Sequence, residues 1–102
     1  MILIIGGIAS GKRSYAQSLG YPEERIEYDL QDLLRDAPLD SQTLEKLMHK
    51  DVITCCEVGM GVVPLDANDR AWRELVGRTC CEIAARADQV VRMVCGIPVR
   101  IK

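Results

Sequence analysis

Apolar residues concentrate in three short runs along the chain, and these runs predict β-strands that are buried on both faces. They cover residues 1–5 (MILII), 51–56 (DVITCC) and 89–94 (QVVRMV). Apolar runs of this length are typical of strands in parallel sheets, which helices cover on both sides. A fourth strand is expected over 97–101, after a turn at Gly96–Pro98.

Between these runs, apolar residues recur every three or four positions, as on the buried face of a helix. The first such stretch, 12–19, is followed by Gly20, and the longest covers roughly 68–86. The inward positions of the long helix are predicted to be Trp72, Leu75, Val76, Cys80, Ile83 and Ala87. Strands that alternate with helices indicate an α/β fold around a mostly parallel sheet of about four to five strands.

Residues 21–50 have a less regular pattern. A short strand near 25–28 with Ile26 facing inward, one or two helical turns at 30–34, and a second helix are expected there. Asp40 or Ser41 could cap that helix, because both side chains accept hydrogen bonds from free backbone N–H groups at a helix start.

The first strand leads into a glycine-rich loop, GGIASGKRS. Gly6 and Gly11-Lys12 have the spacing of a phosphate-binding loop, in which backbone N–H groups and the following helix face the phosphates and the lysine adds a charge. A glycine-rich turn without a ligand is the alternative. The predicted phosphate-binding residues are Gly6, Gly7, Ile8, Ala9, Ser10, Gly11, Lys12, Arg13 and Ser14. We therefore expect one three-layer, P-loop NTPase-like nucleotide-binding domain over 1–102.

Arg13 occupies the position from which such loops offer a hydroxyl to Mg²⁺, and a guanidinium cannot coordinate a cation. Three outcomes are open: Ser14 reaches the metal, nucleotide and water hold the metal, or nucleotide binds without efficient turnover. Arg13 could itself neutralise phosphate charge. Glu57, which ends the second apolar run, is the candidate acid that holds Mg²⁺ at the carboxyl edge of the sheet. Asp29 and Asp32 are weaker candidates, since either could cap a helix.

Composition narrows the class of protein. The chain of 102 residues is 48% hydrophobic, with a net charge of −2, so it lacks the basic field that attracts nucleic acid or anionic membranes. No apolar run approaches the ~18 residues of a membrane span, and no targeting segment precedes the first strand, so a cytoplasmic protein is expected. The five cysteines are interpreted as small buried side chains in a reducing compartment. A metal or redox role would require Cys55 or Cys56 to approach Cys80, Cys81 or Cys95.

The chain resembles the adenosylcobinamide kinase/adenosylcobinamide-phosphate guanylyltransferase family of cobalamin biosynthesis. The similarity lies in MILIIGGIASGK, in EVGMGVVP, in DRAWRELVGR, and in AARADQVVRMVCGIPVRIK, and covers roughly residues 1–16 and 51–102. The resemblance implies that GTP or ATP is bound, that a phosphoryl group is transferred to the aminopropanol hydroxyl of adenosylcobinamide, and that the protein is a homo-oligomer. It also implies catalytic roles for Lys12 and Glu57.

The chain departs from the family in two places. Much of what the family carries between the first helix and EVGMG is absent, including the histidine that takes up GMP, and SGKR replaces SGK followed by Ser or Thr. His49, the sole histidine, lies before the DVITCC strand and is interpreted as an exposed helix-end residue. Arg70 and Arg73 could meet phosphate or a neighbouring subunit, although a solvated helix face is the simpler interpretation. Retained kinase activity is therefore favoured over guanylyl transfer, and a non-catalytic nucleotide-binding or assembly module is the alternative.

Overall fold

A computed structural model of the protein describes residues 1–36, 40–57 and 67–102. The segment VGMGVVP, predicted as a glycine-containing loop, lies at 58–64 and is outside the described residues. No helix in the described part of the chain is long and apolar enough to cross a membrane.

Within the described ranges, five strands form one sheet in the order β2-β3-β1-β4-β5, and only β5 runs antiparallel to its neighbour. The strands are β1 (Ile2–Gly6), β2 (Ile26–Glu27), β3 (Val52–Cys56), β4 (Gln89–Val94) and β5 (Ile97–Arg100). The helices are α1 (Lys12–Ser18), α2 (Leu30–Asp36), α3 (Ser41–Met48) and α4 (Ala67–Arg86), with a 3₁₀ turn at Glu23–Arg25. The predicted α/β class, the mostly parallel sheet and the strand number are confirmed.

The sheet separates two apolar clusters, which gives the three layers. On one face, Ile4, Val52 and Val91 pack around Ala16 of α1. On the other face, Leu3 and Ile53 pack against α2, α3 and α4. This division follows from the strands themselves, because successive side chains point to opposite faces and both faces of a parallel sheet need an apolar cover.

The long helix α4 buries most of the face that its periodicity predicts. Val76 and Ile83 are fully buried, and Trp72, Leu75 and Cys80 are partly buried against the same cluster. Thr79 is buried on this face as well, although the apolar periodicity did not predict it because its side chain is polar. Its hydroxyl donates a hydrogen bond of 2.7 Å to the Leu75 carbonyl, which satisfies the polar group inside the helix.

The strand order places the loop after β1 at the functional edge of the sheet. β1 lies between β3 and β4, with α1 on one face and α4 on the other. Ligands of open α/β sheets bind outside the carboxyl ends of the strands, where the strand order changes direction. The glycine-rich loop emerges at this point.

Candidate functional site: the loop between β1 and α1

The loop joins the centre of the sheet to a helix through two left-handed residues. Ala9 has φ of 57° and Gly11 has φ of 92°. Gly11 directly precedes α1, so its left-handed conformation turns the chain into the helix. A strand, a tight loop and a helix in this order direct backbone N–H groups towards one point, which is the arrangement that binds phosphate oxygens.

Lys12 is buried within the loop although it carries a charge. Its side chain is 7% exposed. The ammonium donates a hydrogen bond of 2.6 Å to the Gly7 carbonyl and lies 3.5 Å from Ser10 Oγ. A lysine ammonium has three donors, and these contacts hold it at the centre of the loop before any ligand arrives.

The turn between β4 and β5 supports the loop from one side. Val94 pairs with Ile97, which leaves Cys95 and Gly96 as a two-residue turn, and both have positive φ. The Gly96 N–H donates a hydrogen bond of 3.0 Å to the Ser10 carbonyl. The sequence indicated a turn here, but nothing in its local pattern indicated contact with a loop more than 80 residues away.

A cavity of about 430 Å³ opens on the α1 face of the loop, and we call it the loop cavity. It is lined by Ile8, Ala9, Ser10, Gly11, Lys12, Arg13, Ser14, Asp29 and Cys56. Seven of the nine predicted phosphate-binding residues therefore share one cavity. Gly7 lies on the other side of the loop, and Gly6 is buried at its base.

Arg13 is held at the rim of the loop cavity by the segment after β2. Its guanidinium carbon lies 4.1 Å from the centre of the Tyr28 ring, and Nη2 lies 3.5 Å from Oδ2 of Asp29. Asp29 is fixed in turn, since its N–H donates a 2.9 Å hydrogen bond to Thr54 Oγ1. Burial and a hydrogen bond to Glu23 raise the pKa of Tyr28, so its ring stays a neutral stacking surface at pH 7. Asp29, a weaker candidate from sequence, thus lies at the site.

Glu57 lies on the opposite side of the loop from Ser14. It lines a second cavity of about 540 Å³, which we call the ion-pair cavity, together with Gly7, Ser10 and Arg92. Arg92 binds both carboxylate oxygens of Glu57, with Nε to Oε1 at 2.7 Å and Nη2 to Oε2 at 3.2 Å. The structure therefore does not place Glu57 and Ser14, the predicted metal ligands, in one cavity.

The described residues fit Mg²⁺ poorly. No group of three or more histidines, cysteines or acids in the described part of the chain could hold a metal ion. Glu57 is paired with Arg92 through both carboxylate oxygens, and Asp29 faces the guanidinium of Arg13. Ser14 lines the loop cavity, so one hydroxyl is available there. Mg²⁺ usually takes one or two carboxylates besides phosphate and water, and the carboxylate that lines the described loop cavity, that of Asp29, lies 3.5 Å from the Arg13 guanidinium.

Two further candidates lie away from the loop. His49 ends α3 ahead of β3, at the amino edge of the sheet. β1 and β3 are paired in parallel, from Ile2 with Val52 to Gly6 with Cys56, so one strand length separates His49 from the loop. At ~3.3 Å per residue this is about 15 Å or more. Asp32 is exposed in the first turn of α2.

The cysteines meet in one pair among the described residues. The Cys55 thiol on β3 donates to the Cys56 carbonyl at 3.4 Å, and the neighbouring Cys80 thiol on α4 together with burial raises the pKa of Cys55. Cys55 is therefore a neutral thiol at pH 7. Cys81 and Cys95 are exposed. Two thiols fall short of the four ligands of a structural zinc site, so the metal interpretation has no site in the described ranges.

Comparison with known proteins gives one family. The family model described as cobinamide kinase / cobinamide phosphate guanyltransferase matches residues 22–101. This match begins after α1, so the loop geometry and the family match concern different parts of the chain.

Two relatives carry the same name, bifunctional adenosylcobalamin biosynthesis protein CobU. The protein of Escherichia coli (strain K12) is 35% identical over 87 residues, which is 81% of this chain and 48% of that protein. The protein of Salmonella typhimurium (strain LT2) is 45% identical over 53 residues, which is 52% of this chain and 29% of that protein. The chain thus spans half or less of the length of these relatives.

Proposed function

The chain belongs to the cobinamide kinase / cobinamide phosphate guanyltransferase family, and we propose that its loop binds the triphosphate of GTP or ATP. The observation that carries this proposal is the buried Lys12, whose ammonium is held inside the loop by the Gly7 carbonyl. A buried charge of this kind is costly unless it has partners. A phosphate oxygen would supply the counter-charge that the loop lacks.

We propose phosphoryl transfer to adenosylcobinamide as the reaction, within cobalamin biosynthesis or salvage. Phosphoryl transfer requires mainly positioning and charge neutralisation. The loop would neutralise the phosphates in the loop cavity. The acceptor hydroxyl would approach the terminal phosphate from the ion-pair cavity, which shares Ile8, Ala9 and Ser10 with the loop cavity. Glu57, fixed in the ion-pair cavity by Arg92, would orient the acceptor hydroxyl. The description of the family supports the kinase reaction, and the names of the two relatives support the role in cobalamin biosynthesis.

Guanylyl transfer is not part of the proposal. A covalent guanylyl intermediate needs a nucleophile within reach of the α-phosphate, and His49 lies at the opposite edge of the sheet from the loop. The ion pairs of Glu57 and Asp29 favour a second candidate, a module that binds nucleotide without turnover, because these two acids beside the described loop already face arginines.

A homo-oligomer is also proposed. β5 forms one edge of the sheet, and Ile97 and Ile101 near its two ends are 63% and 58% exposed. An open edge with apolar side chains can pair with another strand, so a second copy could cover it.

The kinase proposal is tested by incubating the protein with adenosylcobinamide and either GTP or ATP, and by separating the corrinoids chromatographically. We expect adenosylcobinamide phosphate to accumulate with at least one nucleotide, and Glu57→Gln to reduce its rate without weakening nucleotide binding. Saturable nucleotide binding without formation of the product would contradict the proposed kinase activity. The module that binds nucleotide without turnover would then be the remaining candidate.

A further inference from the structure

We propose that this site binds nucleoside triphosphate without Mg²⁺, and that the guanidinium of Arg13 takes the place of the metal at the phosphates. This inference rests on the proposed nucleotide binding and deepens it. The side chain of Arg13 offers N–H donors at the loop, whereas Mg²⁺ requires oxygen ligands.

The first step is the chemistry of position 13. In a phosphate-binding loop the lysine reaches the outer phosphates, and the residue after it offers its hydroxyl to the Mg²⁺ bound there. Arg13 lines the loop cavity with Lys12 and Ser14. A guanidinium has five N–H donors and no acceptor, so it repels Mg²⁺ and binds phosphate oxygens, often with two parallel hydrogen bonds.

The second step is the way Arg13 is held. The guanidinium carbon of Arg13 lies 4.1 Å from the centre of the Tyr28 ring, within the range of a cation–π contact. Asp29 contacts one nitrogen of the guanidinium, Nη2, at 3.5 Å, a long distance for a charged hydrogen bond. The side chain is 60% exposed. Arg13 is therefore oriented by its neighbours while most of its donors remain available to a ligand in the cavity.

The acids that could hold a metal beside the described loop, Asp29 and Glu57, both face arginines. Asp29 lines the loop cavity but faces Arg13, and Glu57 gives both oxygens to Arg92 on the other side of the loop. In the described part of the chain, these two acids thus face an arginine instead of a free metal-binding position. Beside Lys12, Arg13 would bring one positive charge to the phosphates, together with several N–H donors that a metal ion lacks.

The proposal predicts how affinity depends on the metal. The dissociation constant of a fluorescent GTP analogue is measured for the full chain in excess Mg²⁺ and in EDTA. For the wild type the two values should agree within about twofold. In EDTA, Arg13→Ser should bind about tenfold or more weakly than wild type, the factor expected for one charge-assisted hydrogen bond. Excess Mg²⁺ should recover part of the affinity that Arg13→Ser loses in EDTA, because serine offers the hydroxyl that Mg²⁺ binds in such loops.

Two controls separate charge from geometry. Arg13→Lys keeps the charge but cannot form the two parallel bonds, so its affinity in EDTA should lie between those of wild type and Arg13→Ser. Arg78→Gln removes an exposed charge from α4, on the other face of the sheet, and should leave both dissociation constants unchanged. Since Arg13 is largely exposed, circular dichroism should show all variants folded.

The outcomes distinguish this inference from the function on which it rests. Wild-type binding that weakens tenfold or more in EDTA would overturn the role of Arg13 and leave nucleotide binding intact. Equal affinity of Arg13→Ser and wild type in EDTA would also overturn it. An absence of binding in both conditions would overturn the proposed function itself, and this inference with it.

Discussion

Replacing Lys12 with methionine is expected to weaken GTP binding by about 10- to 100-fold, the factor that corresponds to ~1.5–3 kcal/mol for hydrogen bonds to a charged group. The side chain is buried, and its ammonium is held by the Gly7 carbonyl at 2.6 Å. Methionine fills the space of the aliphatic stem but offers no donor. Isothermal titration calorimetry of both proteins measures the difference.

Lys50→Met is the matched control for this substitution. The Lys50 ammonium also donates to a backbone carbonyl, that of Glu24 at 2.8 Å, but it lies before β3 at the amino edge of the sheet. It should leave GTP affinity unchanged. Equal losses in the two variants, or none in Lys12→Met, would show that Lys12 does not contact the nucleotide.

Replacing Gly6 with alanine is expected to destabilise the protein by about 1–3 kcal/mol, the usual cost of overfilling a packed site. An added Cβ would lie 2.5 Å from Ser10 Oγ and 2.9 Å from the backbone oxygen of Met93. The serine hydroxyl can rotate away. The Met93 oxygen belongs to β4, which pairs with β1 at this position, so the strands or the loop must shift.

Gly7→Ala, one residue further on, provides the comparison. No atom beyond its chain neighbours lies within 4 Å of an added Cβ there, so the free energy of unfolding should change by less than ~0.5 kcal/mol. Urea denaturation of both variants measures these changes. Equal urea midpoints for the two variants would mean that the start of the loop at Gly6 is not tightly packed. The geometry of the loop would then depend less on Gly6 than its contacts indicate.

The elements of this fold were largely predictable, because each one follows from a local pattern. Apolar runs at 1–5, 51–56 and 89–94 became the three central strands, and the three- and four-residue spacing of Val76 and Ile83 became the buried face of α4. Such patterns show which side of a helix or strand is buried away from water. This can be read from the sequence without knowing which other element packs against that side.

The arrangement of charges around the loop was not predictable in the same way. Glu57 was expected at the carboxyl edge and lies there, but its pairing with Arg92 depends on which strands are neighbours. The contact of Arg13 with Tyr28 and Asp29 likewise joins residues about 15 positions apart across a bend. No local periodicity encodes these contacts, and the proposal that nucleotide binds without Mg²⁺ rests on them.

The most direct test of nucleotide binding at this loop is a titration of the ¹⁵N-labelled protein with GTP, followed by amide resonances. We expect saturable shifts at the amides of residues 7–12, where backbone N–H groups would meet the phosphates, and smaller shifts at Arg13 and Asp29. The same spectra of Lys12→Met should show these shifts only at much higher GTP. Unchanged loop amides at millimolar GTP, or shifts confined to the amino edge near His49, would contradict the account.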